Sequence, residues 1–293
     1  MVDYQGKQKE IIVDTIENRI NRVEKMANSM RRRALKLGLG TGAVGAHFGP
    51  GLSIIELTAT LYGAIMRINP QNPADPDRDK FILSKGHGSL GFYTALAEVG
   101  LITDDDLDSF ELNDGPLPGQ PQMDISRGIE ISSGSLGHGL SIGIGISLVA
   151  REKERPFSTY VLMGDGECNE GSVWEAAMSA GFFKLGNLIA IVDKNGMQSD
   201  GFSTDIMDMG SLGDKWRSFG WHAVEVNGHN VGDLIDVFSG ERPPDRPFVV
   251  IAHTVKGKGV SFMEGNIDWH HNRLTQAQYD LAMSELVTEY VKG

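Results

Sequence analysis

Two buried-strand patterns, each ending at a polar corner that contains glycine, place the strongest limit on how this chain folds. Residues 161–196 read VLMGDGECNEGSVWEAAMSAGFFKLGNLIAIVDKNG. The two apolar runs are short and do not alternate with polar residues, which is typical of strands buried on both faces of a parallel sheet. Because a helical pattern separates them, we predict a β-α-β unit whose corners lie side by side at one edge of the sheet.

The same alternation of strand and helix patterns extends over most of the chain. Strands are predicted at FILS from Phe81, YVLM from Tyr160, LIAIV from Leu188, HAVEV from His222 and FVVIA from Phe248. Helices are predicted over residues 16–38, 54–65, 136–150, 173–185 and 231–238. We therefore predict an α/β fold, a doubly wound parallel sheet with helices on both faces. No linker interrupts the chain, so residues 1–293 are predicted as one domain with helical amino- and carboxyl-terminal arms.

Composition excludes several classes of partner and location. The net charge of −12 disfavours nucleic acid and acidic membranes, and the basic run at residues 31–33 lies in a helical pattern that suits a solvated face or an acidic partner. Cys168 is the only cysteine, which excludes an internal disulfide and predicts a packing residue in a reducing compartment. The amino terminus lacks a signal-peptide pattern, and no apolar run is long enough for a membrane span. We expect a cytoplasmic protein.

A glycine-rich stretch near the amino terminus matches the letters of a dinucleotide fingerprint. Gly40, Gly42 and Gly45 follow the spacing G-x-G-x-x-G. The fingerprint must follow a strand and open a helix, whereas these glycines follow a predicted helix. We therefore reject a Rossmann-type site.

The two polar corners predict a magnesium site. Asp165 follows the first strand of the unit, and Asn195 follows the second, about thirty residues later. Neighbouring strand ends bring one carboxylate and one amide oxygen together, and Mg²⁺ accepts such ligands while completing its shell with water and phosphate oxygens. The helix that begins near Gly171 offers free backbone N–H groups to the same phosphates.

These corners resemble the thiamine-diphosphate motif of the transketolase family, which opens with GDG and closes with an asparagine. Further segments resemble transketolase segments in the same order: HFGPGLSIIELTATLY from His47, DRDKFILSKGHG ending at Gly88, GIEISSGSLGHGLSIGIGIS from Gly128 and TVKGKGVSFMEGNIDWHH from Thr254. The resemblance covers most of the chain. It implies the diphosphate-binding domain of the thiamine-diphosphate-binding fold, and the length resembles the N-terminal subunit of a split, two-component transketolase.

The resemblance implies roles for residues around the corners. The magnesium ligands are expected to be Asp165, Asn195 and the main-chain carbonyl of Met197. At Gly166 a side chain would obstruct the phosphate. Cofactor contacts are further implied for Gly134, Ser135, Leu136, His87, Asn195 and His270.

Histidines and one glutamate are implied to line the substrate channel. His87 and His270 match histidines between cofactor and substrate, and His47 matches a substrate-contacting histidine. One histidine alone is more often an ordinary packed or surface residue, but three at matching positions favour a site. Glu170 matches a glutamate of an acidic network between two active sites, and a carboxylate also suits the start of a helix.

Two positions depart from the family pattern. In PLPGQPQMD, Gln120 stands where transketolases usually have a histidine that contacts the donor's C1 hydroxyl, while His138 in GSLGHG stands where glutamine is usual. Glutamine forms hydrogen bonds but cannot shuttle a proton near neutral pH. Either His138 restores ordinary ketol transfer, which we favour, or Gln120 marks a different donor such as an α-keto acid.

The resemblance also implies a partner subunit. In the family, a glutamate of a separate pyrimidine-binding domain activates the cofactor. Only about 30 residues follow FVVIAHTVKGKG, too few for another α/β domain. We expect a C-terminal transketolase subunit with pyrimidine-binding and C-terminal domains, in an α₂β₂ assembly that transfers two-carbon ketol units between sugar phosphates. The alternatives are a related acyl or acetyl transferase of the 2-oxo-acid type and a regulatory homologue without turnover.

Overall fold

A five-stranded parallel sheet forms the centre of the structure, a computed structural model that describes residues 15–292. The strands run in the spatial order β1-β2-β3-β5-β4, and every pairing is parallel. They are β1 (Lys80–Leu83), β2 (Thr159–Gly164), β3 (Leu188–Lys194), β4 (His222–Asn227) and β5 (Phe248–His253). All five predicted strands are confirmed within one or two residues at each end, and so is the α/β fold class.

Helices cover both faces of this sheet, as predicted. The α-helices are α1 (Ile16–Gly40), α2 (Phe48–Leu52), α3 (Ile55–Thr60), α4 (Ser89–Glu98), α5 (Asp104–Asp108), α6 (Gly139–Glu152), α7 (Gly171–Phe183), α8 (Ser203–Met207), α9 (Leu212–Ser218), α10 (Val231–Ser239) and α11 (Gln276–Lys292). No helix among residues 15–292 is long and apolar enough to cross a membrane.

Alternate side chains of each strand enter two separate cores. Phe81 and Leu83 of β1 pack in a core with α1, α3, α4 and α10, while Ile82 between them packs in a core with α6, α7 and α9. This is the period of two that a strand imposes on its side chains. Since both faces are buried, the strands read as continuous apolar runs in the sequence.

The first helix has the buried face that its periodicity predicts. Val23, Ala27, Met30 and Ala34 are buried. The basic run on this helix meets acidic partners within the chain: Arg31 forms a buried ion pair with Glu56 on α3, and Arg33 pairs with glutamate and aspartate side chains nearby. The expectation that no signal peptide precedes it falls on residues that are largely outside those described.

The predicted helix over residues 54–65 is confirmed within one residue, although it is not α-helical throughout. α2 ends at Leu52, α3 begins at Ile55, and the last turn, Leu61–Ile65, is a π-helix. Ser53 lies between α2 and α3, just before the predicted helix, and its hydroxyl donates to the buried carboxylate of Asp193 at 2.7 Å. The tertiary hydrogen bond accompanies a local backbone change that periodicity cannot reveal.

Candidate functional site

A cavity of about 330 Å³ opens at the carboxyl ends of β2 and β3. Gly164 of β2 pairs with Asp193 of β3, so the residues that follow these two strands lie side by side. The cavity is lined by His47, Pro50, Lys85, His87, Gln120, Gly134, Leu136, Gly164, Asp165, Gly166, Glu167, Asn169, Glu170, Asn195, Met197, Gln198, Ser199, Lys256 and His270. The edge of the sheet is the one that the strand-end rule predicts.

The structure brings most of the predicted site residues together in this wall. Ser135 and His138 are the two that do not line it. His138 is exposed at the start of α6, and its Nδ1 lies 3.1 Å from the carbonyl of Leu136. Its side chain therefore does not lie beside Gln120 in the cavity.

The carboxylate of Asp165 is buried and poorly compensated. Its Oδ2 accepts hydrogen bonds from the backbone N–H of Gly196 at 3.0 Å and from the Ser203 hydroxyl at 2.9 Å. Burial and the nearby charge of Asp193 raise its pKa. A cation bound at this corner would favour the ionised carboxylate. Gly196 has a φ of 75°, a conformation that glycine adopts without strain.

Asp193 orients Asn195, the polar residue that follows β3. This carboxylate is fully buried and accepts hydrogen bonds from Ser53, Lys85, Thr254 and the Nδ2 of Asn195, the last at 2.9 Å. Burial opposes its ionisation, but the charge and hydrogen bond of Lys85 outweigh that effect and lower its pKa. The Asn195 amide is thereby fixed by its nitrogen, and its Oδ1 accepts from the Met197 N–H at 3.1 Å.

Three histidines form one wall of the cavity. The ring centroids of His87 and His270 are 5.3 Å apart, and that of His47 lies 5.7 Å and 5.6 Å from them. Burial is the main cause that lowers the pKa of His87 to about 2, of His270 to about 3 and of His47 to about 4, and nearby lysine charges add to it. All three rings are therefore neutral near pH 7 and act as hydrogen-bonding groups.

Lys256 is a buried amine beside this wall. Its Nζ donates to the Nδ1 of His270 at 2.8 Å and to the carbonyl of Gln198 at 2.7 Å. Burial and the charge of Lys85 lower its pKa to about 8. Because Nδ1 of His270 accepts this bond, the proton of the neutral ring lies on Nε2.

Glu167 joins the two loops that frame the cavity. Its buried carboxylate accepts from the Ser84 hydroxyl, from the Gly137 N–H at 2.8 Å and from the Gly164 N–H at 3.2 Å. Burial raises its pKa. Gly137, with a φ of 83°, precedes α6, which explains why that helix begins at Gly139 and not at the predicted Leu136.

Two buried polar atoms in the cavity region have no hydrogen-bond partner within the described part of the chain. They are Oε1 of Gln120 and the hydroxyl of Ser133. A Cβ at Gly86 would lie 2.3 Å and 2.7 Å from them, so no side chain fits there. Since buried polar groups are normally paired, Gln120, which lines the cavity, suits a polar ligand there, whereas Ser133 does not line this cavity.

Sequence reasoning did not assign roles to Lys85, Glu167 and Lys256. Lys85 and Lys256 stand next to glycines shortly after β1 and β5, in SKGHG and TVKGKG, so the strand-end rule could have found them. Glu167 lies two residues after Asp165, where an acidic residue reads as part of a polar turn. Only its burial distinguishes it.

Comparison with known proteins identifies the family. Residues 24–289 match the family model described as transketolase, thiamine diphosphate binding domain. The chain belongs to the transketolase family. It is 40% identical over 267 residues to an apulose-4-phosphate transketolase subunit of Actinobacillus succinogenes, covering 91% of this chain and 96% of that protein. It is also 40% identical to the 6-deoxy-6-sulfo-D-fructose transketolase subunit SqwG of a Clostridium species, covering 91% of this chain and 97% of the relative.

Solved transketolases have the same fold. The transketolase from Leishmania mexicana superposes with a TM-score of 0.81 at 28% identity, covering 90% of this chain and 41% of that protein. The human transketolase is 30% identical, and this chain covers 43% of its length. This transketolase chain thus spans about two fifths of the longer relatives and nearly all of the two shorter ones, which are themselves named as subunits.

The cavity fits thiamine diphosphate, the cofactor of this transketolase domain. The diphosphate needs cationic or N–H partners, and Lys85, Lys256 and a glycine-containing corner line the wall. A Cβ at Gly166 would lie 2.9 Å from the side chain of Gln198, so a larger residue there would displace Gln198 at the cavity wall. Among residues 15–292, no three His, Cys, Asp or Glu side chains cluster as a metal site.

Proposed function

We propose that this chain is the cofactor-binding subunit of a two-component transketolase that transfers a two-carbon ketol unit from a ketose phosphate to an aldose-type acceptor. The observation that carries this proposal is the match to two transketolase subunits over nearly their full length, together with the cavity at the ends of β2 and β3. The names of those relatives, which refer to apulose 4-phosphate and 6-deoxy-6-sulfo-D-fructose, support an anionic sugar as the substrate class.

Thiamine diphosphate supplies the carbanion chemistry when it is bound. We propose that Mg²⁺ is held by Asp165, Asn195 and the carbonyl of Met197, which offer one charged and two neutral oxygens. The raised pKa of Asp165 supports this assignment, because a divalent cation compensates a buried carboxylate. No histidine, cysteine or second acidic ligand is needed for such a site.

The neutral histidines are proposed to orient the substrate and to exclude water from it. His47, His87 and His270 present uncharged N–H and N groups to a cavity whose cations are Lys85 and Lys256. The carbonyl and hydroxyl groups of a sugar pair with such donors and acceptors without a change of charge. With a pKa of about 8, Lys256 is the group nearest to exchanging a proton at neutral pH.

A partner subunit is proposed to pack on α6 and α7. Their outer faces expose Ile142 and Val149 on α6 and Met178 and Phe182 on α7, with Phe182 80% exposed. Both helices follow the loops that frame the cavity, and they begin at Gly139 and Gly171. A partner on this apolar face would therefore lie beside the cofactor. We propose that the partner has pyrimidine-binding and C-terminal domains and that the assembly is α₂β₂.

The experiment that tests this function is reconstitution with a pyrimidine-domain subunit. Ketose phosphate and pyruvate are offered separately, each with an aldose phosphate, and the two-carbon fragment is followed by mass. We expect a hydroxyacetyl unit to move from the ketose only in the presence of both subunits, with no reaction of pyruvate. Turnover by the partner-free chain would contradict the two-component proposal, and no turnover with either donor would favour a regulatory homologue.

Gln120 gives a specific reason to compare a ketose with an α-keto acid as the donor. Its Oε1 is buried and has no partner among residues 15–292, so it suits a donor group rather than an acceptor group on the substrate. The C1 hydroxyl of a ketose supplies such a donor, whereas pyruvate has none. His138 lies outside the cavity, so Gln120 is the residue of this pair that can contact this hydroxyl. Gln120→His is the matched variant: faster ketose turnover with unchanged donor choice is expected.

A further inference from the structure

A second cavity, of about 410 Å³, lies at the opposite edge of the sheet. It is lined by Ser158 just before β2, by Tyr160 of β2, by Arg19 of α1 and by Phe238 at the end of α10. β2 has six residues, so the two cavities are separated by roughly 20 Å of strand. None of the residues that line the cofactor cavity also lines this one.

Arginine side chains dominate the second cavity. Arg19, Arg67 and Arg242 line it, with Asp79 as the acidic residue of the wall. The carboxylate of Asp79 already has hydrogen-bond partners, since it accepts from the guanidinium of Arg67 at 2.9 Å and from the Ser158 N–H at 2.9 Å. The Arg67–Asp79 pair leaves the positive charges of Arg19 and Arg242 without a carboxylate in the wall. This concentration of positive charge stands out in a chain whose net charge is −12.

Arg242 carries a buried nitrogen that lacks a partner. Its Nη1 is buried and forms no hydrogen bond with any described residue, while the guanidinium lies 5.4 Å from the ring centre of Phe248. The guanidinium of Arg19 donates to a neutral acceptor, the carbonyl of Ala64, at 3.1 Å. Leaving a buried charged donor unpaired is costly, so an anion from solution would stabilise this arrangement.

The remaining walls provide a phenol and apolar surface. Burial is the main cause that raises the pKa of Tyr160 to about 12, so its hydroxyl stays protonated and can donate. Ile65 and Phe238 contribute apolar wall beside the arginines. The volume exceeds what a single phosphate needs and falls in the range typical of small-molecule sites.

We propose that this second cavity binds the phosphate group of a small phosphate monoester, with Arg19, Arg242 and Tyr160 as donors and Ile65 and Phe238 against the carbon skeleton. Two guanidinium groups without carboxylate partners in the wall match the two charges of a phosphate monoester, and planar guanidinium groups bind phosphate oxygens through paired N–H donors. The site is distinct from the cofactor cavity and does not depend on the proposed ketol transfer.

The test is calorimetric titration of the full chain with glycerol 3-phosphate in the presence of Mg²⁺ and thiamine diphosphate, so that the cofactor cavity is filled. We expect saturable binding by the wild type and by Arg246→Gln, which removes an exposed arginine from the same loop. In Arg242→Gln the affinity is expected to fall by about tenfold or more, because one charge-assisted contact is lost. Thermal unfolding checks that the variant is folded.

Arg19→Gln serves as the second variant if Arg242→Gln does not fold, and the same loss is expected. Inorganic phosphate should compete with glycerol 3-phosphate, whereas succinate should not. Undetectable binding by the wild type, equal affinity in Arg242→Gln and Arg246→Gln, or succinate binding as tight as that of the phosphates would each overturn the proposal.

Discussion

At the scale of single residues, the candidate site depends on charges that are buried below the cavity. Asp193 is absent from the cavity wall, yet it holds both Lys85 and Asn195. Such a buried pair contributes little net stability, but breaking it leaves one charge uncompensated. Its value here is in orientation, because the Asn195 amide cannot rotate without losing its bond to Asp193.

The corner residues give the most direct residue-scale prediction. Asp165→Ala and Asn195→Ala should each weaken magnesium-dependent binding of thiamine diphosphate by at least about a hundredfold, because the diphosphate charge loses its bridging cation. Calorimetric titration of the cofactor with and without Mg²⁺ measures this. Asp200→Ala, which changes an exposed aspartate of the same loop, is the control. Unchanged affinity in both corner variants would mean that the metal lies elsewhere.

The histidine wall predicts a dependence of stability on pH. The fold lowers the pKa of His87 from 6.5 to about 2, so the folded state keeps the ring neutral while the unfolded chain takes up a proton below pH 6.5. Stability from this group is present above pH 6.5 and is lost as the pH falls. Between pH 7 and pH 5 the loss should be about 2 kcal/mol.

Urea unfolding of the wild type and of His87→Gln at both pH values measures this contribution. The variant should lose about 2 kcal/mol less than the wild type between pH 7 and pH 5. His138→Gln, which removes an exposed histidine outside the wall, should behave as the wild type does. If the wild type and His87→Gln lose the same free energy of unfolding between pH 7 and pH 5, burial of this ring does not cause the loss of stability in acid.

Residues at strand ends were predictable, and residues that act through burial were not. Asp165 and Asn195 follow apolar runs, so the rule for parallel sheets places them together without coordinates. Asp193 follows the second run directly, yet its role depends on Lys85 and Thr254, which come from distant parts of the chain. Local sequence does not contain that information.

At the scale of elements, the same division holds for helices. α1 was predicted because one of its faces is exposed and its apolar residues recur every three or four positions. α4 was not predicted: its first eight residues are all buried, so no polar face marks its period. The start of α6 was placed three residues early, because Gly134 and Gly137 adopt positive φ angles in a segment whose apolar pattern continues.

The link between two elements rests on Glu167, and this can be tested. Glu167→Gln keeps the size of the side chain but sets an NH₂ group against N–H donors at Gly137 or Gly164. The free energy of unfolding should fall by about 1–3 kcal/mol. Thiamine diphosphate should also bind more weakly, because the loop before α6 shifts. Urea unfolding and calorimetry measure the two effects, with Glu175→Gln on the exposed side of α7 as the control. If the Glu167→Gln variant is destabilised but binds thiamine diphosphate as tightly as the wild type, Glu167 contributes to stability and does not position the cofactor.

At the scale of the whole molecule, the two edges of the sheet have different chemistry. The cofactor cavity lies at the carboxyl edge of the sheet, and the second cavity lies at the amino edge. The strands therefore separate the two cavities. The sequence predicted the first region because motifs mark it. The second is assembled from α1, the π-helical turn, β2 and the loop before β5, and no local pattern marks it.

The apolar face of α6 and α7 makes the last prediction, on assembly. Phe182 is 80% exposed, so Phe182→Lys should leave the stability of the isolated chain unchanged, while a charge within a hydrophobic interface should weaken association with the partner subunit by roughly thirtyfold or more. Sedimentation of mixtures with the pyrimidine-domain subunit measures association. Ketol transfer by the same mixtures shows whether the partner has completed the active site. Leu281→Lys places the same charge at an exposed apolar residue of α11, away from the cavity loops, and should assemble normally. If Phe182→Lys and Leu281→Lys associate equally well, the partner does not pack on α7, and the residues it contributes to the site must approach from another side.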